Sequence, residues 1–394
     1  MGQGTQEETA FSFNGNWREF APILLTNLLL TIVTLGIYRF WGTTRERRYL
    51  WANTRFIDDT LEWTGTGLEL LIGFVIVLLV LFVPLFGIQF LAQALILQGQ
   101  APLAGALIFA IYFLFLYLIG VAIFRALRYR LSRTLWHGIR GGSHDPGLAY
   151  GWSYVWKTIV GMIVLGLLIP WSMAKLWAER WNKMSFGPHA FVAGNDWSGL
   201  MKRFLLCYLV PLAAVLLGFL TAVSGGGASS GIFGVLALIA ILAFYIVLPI
   251  LALAYYAAFF RHMVGQMSLS TLQFQFEART KDWLWLFLGN AGLYLIALIV
   301  GAIIAGSFGL LANFADPEAL LATLANPIAI FFLFLAFIVP LAIAAGFTRY
   351  RSWAFFIGHL EASGEVDLAA LTQSDTPEPR QGEGLLDAFD MGAV

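Results

Sequence analysis

The segment from Leu70 to Phe124 has the sequence LLIGFVIVLLVLFVPLFGIQFLAQALILQGQAPLAGALIFAIYFLFLYLIGVAIF, which is 55 residues without a charged side chain. A helix that crosses a bilayer needs about 20 consecutive, mostly apolar residues. The segment is therefore long enough for two crossings, and we predict them at Leu70–Leu97 and Leu103–Phe124. Two crossings joined by a short turn form a helical hairpin, which leaves the membrane on the side where it entered.

Three further uncharged runs are long enough to form two more helical hairpins. Uncharged runs of 57, 33 and 30 residues lie between Arg203 and Arg261, between Asp282 and Asp316, and between Glu318 and Arg349. The first run holds two crossings joined by the Gly- and Ser-rich stretch Ser224–Gly231. The other two runs give crossings near Leu284–Ser307 and Ile328–Ala345. The sequence therefore predicts an all-α polytopic membrane protein with three transmembrane helical hairpins.

The composition of the whole chain agrees with this class. Of 394 residues, 59% are hydrophobic and 12% are charged, and the mean hydropathy is +0.78. Soluble domains carry about 25% charged residues, so an ordinary cytosolic enzyme or a nucleic-acid-binding protein is excluded. Cys207 is the single cysteine, which excludes a disulfide framework and a cysteine metal site. Because the sequence also lacks the HExxH and GxxxxGK motifs, we expect no enzymatic activity, no cofactor and no metal.

Two shorter uncharged segments, Phe20–Tyr38 and Thr158–Ala174, leave the number of crossings open. If both cross, the 23 Lys and Arg residues divide 11 to 12 between the two faces; if neither crosses, all 23 share one face. Loops of inner-membrane proteins are strongly biased towards Lys and Arg on the cytoplasmic side. We therefore predict six crossings, with the two short segments as re-entrant or interfacial helices and both termini in the cytoplasm. Eight crossings is the alternative.

The two short segments are also copies of one another. At an offset of 130 residues, Leu35, Gly36 and Trp41 match Leu165, Gly166 and Trp171. Short stretches in which apolar and polar residues alternate precede most of the apolar segments, for example Phe11–Phe13 and Leu272–Phe276. Such alternation is typical of a half-buried strand. We predict small β-hairpins on the basic, cytoplasmic face; amphipathic loops resting on lipid headgroups are the alternative.

The chain divides into three parts by composition. Residues 1–10 are predicted to be a disordered N-terminus, residues 11–367 a membrane domain with repeated units near 11–67, 148–200 and 272–310, and residues 368–394 an acidic disordered tail. Residues 361–394 hold eight acidic side chains and one basic side chain. The rest of the chain has 22 Lys and Arg against 15 Asp and Glu, so the zero net charge conceals a basic body.

Several motifs resemble those of the YjgN-like family of bacterial inner-membrane proteins. They are Phe11-Ser-Phe-Asn-Gly15, Thr34-Leu-Gly-Ile-Tyr-Arg-Phe-Trp41, Arg45-Glu-Arg-Arg-Tyr49, Asn53-Thr-Arg55 and Arg130-Leu-Ser-Arg-Thr-Leu-Trp-His-Gly-Ile-Arg140. The resemblance covers about residues 11–367 and implies a bacterial inner-membrane location with a repeated architecture. It implies no activity, because the function of the family is unknown. Genes of this family often lie near those of membrane metallopeptidases, which suggests such a protein as a partner.

Clusters of arginine interleaved with aromatic residues are the strongest functional feature of the sequence. Basic side chains beside a membrane helix attract anionic lipid, and aromatic side chains anchor at the same depth. The candidate lipid-headgroup-binding residues are Arg45, Arg48, Arg55, Arg130, Arg133, Arg140, Arg349 and Arg351. Topology determination alone is the other interpretation of these clusters. We expect Arg45, Arg48, Arg130 and Arg133 to line one site.

These observations favour a non-enzymatic scaffold or accessory protein of the inner membrane. It would contact anionic lipid headgroups and a protein partner, and no nucleic acid. The alternative is a transporter or channel for an apolar or amphipathic molecule, because re-entrant segments commonly line a cavity. A continuous cavity between the helices would favour transport, and a filled helical core would favour the scaffold.

Overall fold

The computed structural model describes residues 10–223, 235–236, 239, 242–309, 325–365 and 372–378. Eleven helices alternate with eleven short strands in this part of the chain. The helices are α1 Trp17–Val33, α2 Arg39–Ala52, α3 Gly67–Val77, α4 Val83–Leu97, α5 Ala101–Arg133, α6 Leu148–Ile163, α7 Ile169–Trp181, α8 Met201–Val223, α9 Leu248–Val264, α10 Thr280–Ser307 and α11 Pro327–Ile357. The π-helical turns Leu78–Phe82 and Ala243–Val247 and the 3-10 turn Ser198–Leu200 connect or extend them.

The chain is a polytopic membrane protein. Five helical spans of the described chain are long and apolar enough to cross a bilayer, and they coincide wholly or largely with α5, α8, α9, α10 and α11. Only 6–22% of the apolar window of each span is buried inside the protein. Contiguous apolar surface of this extent requires lipid around it. The remaining apolar helices α3 and α4 are short individually, but the π-helical turn Leu78–Phe82 joins them into one rod.

The long helices extend beyond the uncharged runs on the basic side. The apolar run before Arg125 ends at Phe124, but α5 continues to Arg133. The last crossing predicted from sequence ends at Ala345, whereas α11 continues to Ile357. These extensions carry basic residues out of the apolar layer while the helical hydrogen bonds continue. A strand begins directly after α5, and another follows α11 after two intervening residues.

The strands form a ring at this end of the helices. Their bounds are β1 Phe11–Phe13, β2 Thr54–Phe56, β3 Asp59–Thr60, β4 Glu62–Trp63, β5 Thr134–Trp136, β6 Ile139–Gly142, β7 Ser185–Phe186, β8 His189–Ala193, β9 Met267–Leu269, β10 Leu272–Phe276 and β11 Leu360–Ser363. Strands β1 to β3 form one antiparallel sheet and β4 to β11 a second one, each in chain order. Leu61 alone separates β3 from β4, so the chain passes directly from one sheet into the other.

The two ends of this arrangement meet. Strand β1 lies beside β11, and the backbone N–H of Ala10 donates to the Glu361 carboxylate at 3.2 Å. Strand edges expose unpaired backbone groups, and a circular order leaves few of them. We call this arrangement the strand ring. The strands of the described chain are therefore parts of one shared arrangement.

Tight two-residue turns connect four successive strand pairs. The first central residue of each turn has a positive φ: 57° at Ile57, 50° at His137, 54° at Gly187 and 54° at Ser270. Hairpins with two-residue loops favour such turns because their twist matches that of the flanking strands. His137 also hydrogen-bonds Asp58 of the neighbouring turn at 3.0 Å, and this bond lowers the pKa of Asp58 below its usual value.

Each helical unit begins and ends in the strand ring. The α1–α2 pair runs between the paired strands β1 and β2, and the α6–α7 pair runs between β6 and β7. Similarly, paired strands enclose α3 to α5, α8 to α9, and α10 to α11. The ring therefore collects both ends of five helical units on one side.

The α1–α2 and α6–α7 pairs reverse direction in the same way. Leu35 and Gly36 have φ values of 52° and 94°, and Leu165 and Gly166 have values of 50° and 84°. In the first pair, the Asn27 amide donates to the Gly42 carbonyl at 3.1 Å, which fixes α1 against α2. In the second, Lys157 forms an ion pair with Glu179. Two successive left-handed residues make a turn sharp enough for each pair of helices to contact one another.

Part of the acidic tail has a defined place on the strand ring. Residues 372–378, within the segment predicted to be disordered, instead lie against the β5–β7 part of the ring. The Gln373 amide donates to the Gly138 carbonyl at 2.9 Å, and the Arg140 guanidinium donates to the Thr376 carbonyl at 2.6 Å. Ser374 and Thr376 are buried. Composition alone could not reveal this order, because the contacts depend on polar groups that the strand ring brings close to the tail. Residues 368–371 and 379–394 lie outside the described residues.

We expect Gly36→Ala and Gly105→Ala to change stability in opposite directions. A Cβ would meet no atom within 4 Å at either position, so only backbone conformation differs. Ala at φ 94° should lower the free energy of unfolding by about 1 kcal/mol, whereas Ala inside α5 should raise it by up to about 1 kcal/mol. Denaturant titration of the purified protein in detergent measures both. Equal effects would show that the left-handed turn is not formed.

Candidate functional site

The structure separates the eight candidate arginines into exposed side chains and partly buried side chains. Arg45, Arg48 and Arg55 are exposed, and the other five are partly buried. Within the described chain, no carboxylate lies at ion-pair distance from Arg45 or Arg48. Arg45 and Arg48 lie together on α2, whereas Arg55 lies on β2, so these two are the exposed candidates that can act on one ligand.

Arg45 and Arg48 line a pocket at the start of α3. Because they are three positions apart on α2, they lie on the same face of that helix. The pocket has a volume of about 400 Å³. It is lined by Tyr38, Trp41, Thr44, Arg45, Arg48, Thr66, Gly67 and Leu68, and we call it the headgroup pocket. It combines two cations and two aromatic rings with the N-terminal turn of α3.

The N-terminus of α3 adds to the positive potential of the headgroup pocket. The Thr66 hydroxyl accepts from the Glu69 N–H at 3.3 Å, and the Glu69 carboxylate accepts from the Thr66 N–H at 3.4 Å. This capping box begins a membrane helix whose first N–H groups and dipole favour an anion. The Arg48 guanidinium lies 3.5 Å from the Gly65 carbonyl, which holds it near this terminus.

Arg133 contributes by neutralising the carboxylate behind the pocket. Its guanidinium donates to Glu69 at 2.7 Å, and the Tyr129 hydroxyl donates to the other oxygen of Glu69 at 3.0 Å. Arg133 and Glu69 are 17% and 20% exposed, so neither is freely available to a headgroup. The structure thus places Arg133 near the headgroup pocket, but as the partner of Glu69. Arg130 is on the same helix and is not among the lining residues.

Arg349 has a structural partner on a different element. Its Nη2 donates to the Glu46 carboxylate at 2.8 Å, and its Nε donates to the same oxygen at 3.1 Å. The Glu46 side chain is 7% exposed, and the Asn27 amide lies 3.4 Å from its second oxygen. This ion pair joins α1, α2 and α11.

The remaining candidates lie apart from the headgroup pocket. Arg140 holds residues 372–378 through the Thr376 carbonyl. Arg351 packs against Gly289 of α10, where a Cβ would come within 2.1 Å of its guanidinium. Arg55 lies on β2, and its side chain faces the outside of the strand ring. The single arginine site expected from sequence is therefore limited to Arg45 and Arg48, with Arg133 behind it.

Sequence reasoning missed a half-open apolar chamber that the strand ring lines. Its volume is about 980 Å³. Side chains from β1, β2, β5, β7, β8, β9, β10 and β11 line it. The alternation in stretches such as Leu272–Phe276 places one apolar face on each strand, and that pattern could have indicated a shared interior. Among the described residues, no group of three His, Cys, Asp or Glu side chains is placed to hold a metal ion.

Comparison with known proteins places the chain in a family. A family model described as "Bacterial protein of unknown function (DUF898)" matches residues 8–388. The chain belongs to this family. The resemblance to YjgN-like proteins is confirmed as well, since relatives named "Inner membrane protein YjgN" match from Escherichia coli K12, Escherichia coli O157:H7 and Salmonella typhimurium LT2.

These DUF898 relatives are distant. The two Escherichia coli proteins are 24% and 26% identical over 242 and 245 residues, which are 52% of this chain and 58% of each relative. The Salmonella protein is 27% identical over 152 residues, which are 39% of this chain and 35% of the relative. The chain thus matches little more than half the length of the first two relatives. No solved structure matches the chain.

We expect Arg349→Gln to destabilise the protein through the Glu46 carboxylate. Removing one partner of a buried ion pair typically costs about 3–5 kcal/mol, and partial exposure of Arg349 reduces this to about 2–3 kcal/mol. Thermal unfolding in detergent should show a clear decrease in melting temperature. Arg55→Gln is the control, because it removes the same charge from an exposed position.

The double variant Glu46→Gln/Arg349→Gln tests the same ion pair independently. Without a buried carboxylate, the loss of Arg349 leaves no uncompensated charge. The double variant should therefore recover part of the stability that Arg349→Gln loses. If Arg349→Gln melted at the same temperature as Arg55→Gln, the pair would contribute nothing to stability.

Proposed function

We propose that this DUF898 protein is a non-enzymatic scaffold of the inner membrane that binds anionic lipid headgroups in the headgroup pocket. The observation that carries the proposal is the pocket itself. Arg45 and Arg48 are exposed and unpaired within the described chain, whereas the nearby carboxylate of Glu69 is neutralised by Arg133. The names of the YjgN relatives and the five long apolar helices support the inner-membrane location.

The chemistry of the pocket suits a phosphate at the membrane surface. A phosphodiester group carries one negative charge, and both guanidinium groups and a helix N-terminus favour such an anion. Trp41 and Tyr38 supply the aromatic rings that settle at headgroup depth. Each basic residue near an anionic membrane surface contributes about 1 kcal/mol.

The location of the main features favours binding over transport. A carrier or channel requires a path between the membrane helices. The headgroup pocket and the chamber both lie at the strand-ring end of the helices, where Thr66 begins α3 and strands line the chamber. The scaffold is thus the better-supported function. That its protein partner is a membrane metallopeptidase is proposed from the family resemblance alone.

We further propose that the α1–α2 and α6–α7 pairs enter and leave the membrane on one face, which gives six crossings. The pairing of β1 with β2 and of β6 with β7 supports this. Paired strands lie about 4.8 Å apart, so they cannot be on opposite sides of a bilayer. An even number of crossings between them is required, and each pair turns back at a left-handed turn.

The lipid proposal predicts that Arg45→Gln/Arg48→Gln weakens retention of anionic lipid. Loss of two basic contacts of about 1 kcal/mol each should lower affinity for phosphatidylglycerol roughly thirtyfold. Native mass spectrometry of the purified full chain, titrated with phosphatidylglycerol, measures this. Arg18→Gln/Arg55→Gln is the matched control, because it removes the same charge from two exposed positions outside the pocket.

Equal retention by the two double variants would refute a specific site. The basic clusters would then act only in setting the topology. Phosphatidylcholine provides a second comparison, since its headgroup has no net charge and should bind all variants alike. The melting temperature should be unchanged in both double variants, because neither removes a partner of an ion pair described here.

The topology proposal predicts that four single cysteines are labelled from one side of the membrane. In a Cys207→Ser background, cysteines at the exposed positions Thr60, His144, Asn195 and Ser270 should react with an impermeant thiol reagent from the same side. His144 is a better position than Ser143, which is buried. Gln98, at the other end of α4, should label from the opposite side.

The same experiment distinguishes the eight-crossing alternative. If both short helix pairs crossed, Thr60 and His144 would label from one side, and Asn195 and Ser270 from the other. Gln98 would remain opposite Thr60 in both cases, so it verifies that sidedness is measured correctly. A split between the two groups would overturn the six-crossing proposal.

A further inference from the structure

The chamber inside the strand ring has the size and lining of a binding site. Its volume of about 980 Å³ is at the upper end of the range of about 300–1,000 Å³ that is usual for small-molecule pockets. The side chains that line it include Phe11, Phe56, Phe191, Leu269 and Phe274. A cavity this large and this apolar favours an apolar occupant over water, which needs several polar partners.

The two ends of the chamber differ in polarity. The end next to the membrane helices is lined by the last turns of four of them: Leu131 of α5, Trp181 of α7, Phe260 and Val264 of α9, and Trp353 and Phe356 of α11. The end at the strand turns carries the polar lining residues His189, Ser270, Thr271 and Glu365. An amphipathic molecule would match this polarity with its chain towards the helices and its polar group at the turns.

The indole groups of the chamber present mainly apolar surface. The Trp136 N–H donates to the Phe56 carbonyl at 3.0 Å, and the Trp353 N–H donates to the Thr54 hydroxyl at 2.9 Å. The Trp181 N–H is buried and has no acceptor among the described residues. An uncharged oxygen of a ligand would suit such a donor, since a buried unpaired N–H costs about 1–3 kcal/mol.

The charge of the lining argues against the anion that suits the headgroup pocket. No Lys or Arg is among the residues that line the chamber, and Glu365 is its single carboxylate. A phosphate would therefore be buried without a Lys or Arg partner, which is strongly unfavourable. The occupant must be neutral along its buried length.

The shape of the chamber argues against a peptide partner. A helix with its side chains is about 10–12 Å across, so about 980 Å³ holds only about two turns. Two turns are too few for a stable isolated helix. An extended peptide would need a free strand edge, and β1 and β11, the two edge strands that line the chamber, lie against one another.

We propose that the chamber binds one long aliphatic or isoprenoid chain that carries an uncharged polar group at one end. The chain lies among the aromatic side chains, and the polar end lies beside Ser270 and Thr271. This site is separate from the headgroup pocket and does not depend on it. It gives the protein a second lipid-binding site, selective for neutral amphipathic molecules.

Photolabelling of the full-length protein tests this site. The probe is a diazirine-bearing hexadecanol, which is uncharged and apolar along its length. After illumination in detergent, mass spectrometry should find adducts on peptides that contain Phe191, Leu269 or Phe274, and excess unlabelled hexadecanol should reduce them. Adducts restricted to the membrane-spanning parts of the helices would overturn the proposal.

A pair of neighbouring variants on β10 provides the matched comparison. Phe274 lines the chamber, whereas Gln275 is exposed on the opposite face of the strand. Phe274→Glu places an unpaired charge beside the chain and should reduce competable labelling at least about tenfold. Gln275→Glu adds the same charge outside and should leave labelling unchanged. Equal labelling of the two variants, both with wild-type melting temperatures, would overturn the proposal.

The acidic tail is the competing occupant that the experiment must exclude. It carries the apolar residues Leu385, Leu386 and Phe389. In the full chain, Leu385→Ser/Leu386→Ser/Phe389→Ser should leave labelling at Phe191, Leu269 and Phe274 unchanged. If labelling there appeared only in this triple variant, the tail would be the occupant and the proposal would fail. Wild-type adducts do not require any variant to fold, so the first experiment remains decisive.

Discussion

The pairing of short strands at one end of the helices is the constraint on which the rest of the structure depends. Individually, strands of two to five residues have too little interface to be stable. Placed side by side in chain order, they satisfy one another's backbone groups. Each helical unit must therefore return its chain to the same side. The left-handed turns after Thr34 and Val164 are where the two shorter units accomplish this.

The arginines at the ends of the helices have two roles. Some neutralise carboxylates within the fold, and others remain exposed for the proposed ligand. Glu46 and Glu69 are carboxylates near the apolar layer, and burial of an unpaired carboxylate is costly. Arg349 and Arg133 neutralise them and, in doing so, join helices that are far apart in the sequence. Arg45 and Arg48 lie on the exposed side of α2, whereas Glu46 lies on its buried side, so the two arginines retain exposed cationic groups. One basic–aromatic cluster thus supports both the fold and the proposed contact with lipid.

The ring geometry also explains why aromatic side chains fill the interior of the strand ring. Phe56, Trp136 and Leu272 pack together inside the ring, and Trp51 stacks on Trp353 at a centroid distance of 4.1 Å just beneath it. Strands as short as these have few positions for inward side chains. Large aromatic side chains can cover the interior from these few positions, and the space left between them is the chamber. The two proposed sites, the chamber and the headgroup pocket, therefore lie at the same end of the protein.

The sequence by itself determined the membrane class, because the length of an uncharged run fixes whether a helix can cross a bilayer. Leu70–Phe124 allows no other interpretation. It also indicated the repeated Leu-Gly turn and the stretches that lie in β1 and β10, since local periodicity and backbone preference are local properties. Only the tertiary structure decided which arginines are paired, because Arg349 and Glu46 are 303 positions apart in sequence. The ring and its chamber likewise depend on strands from the whole chain meeting in one place, and no local pattern encodes that closure.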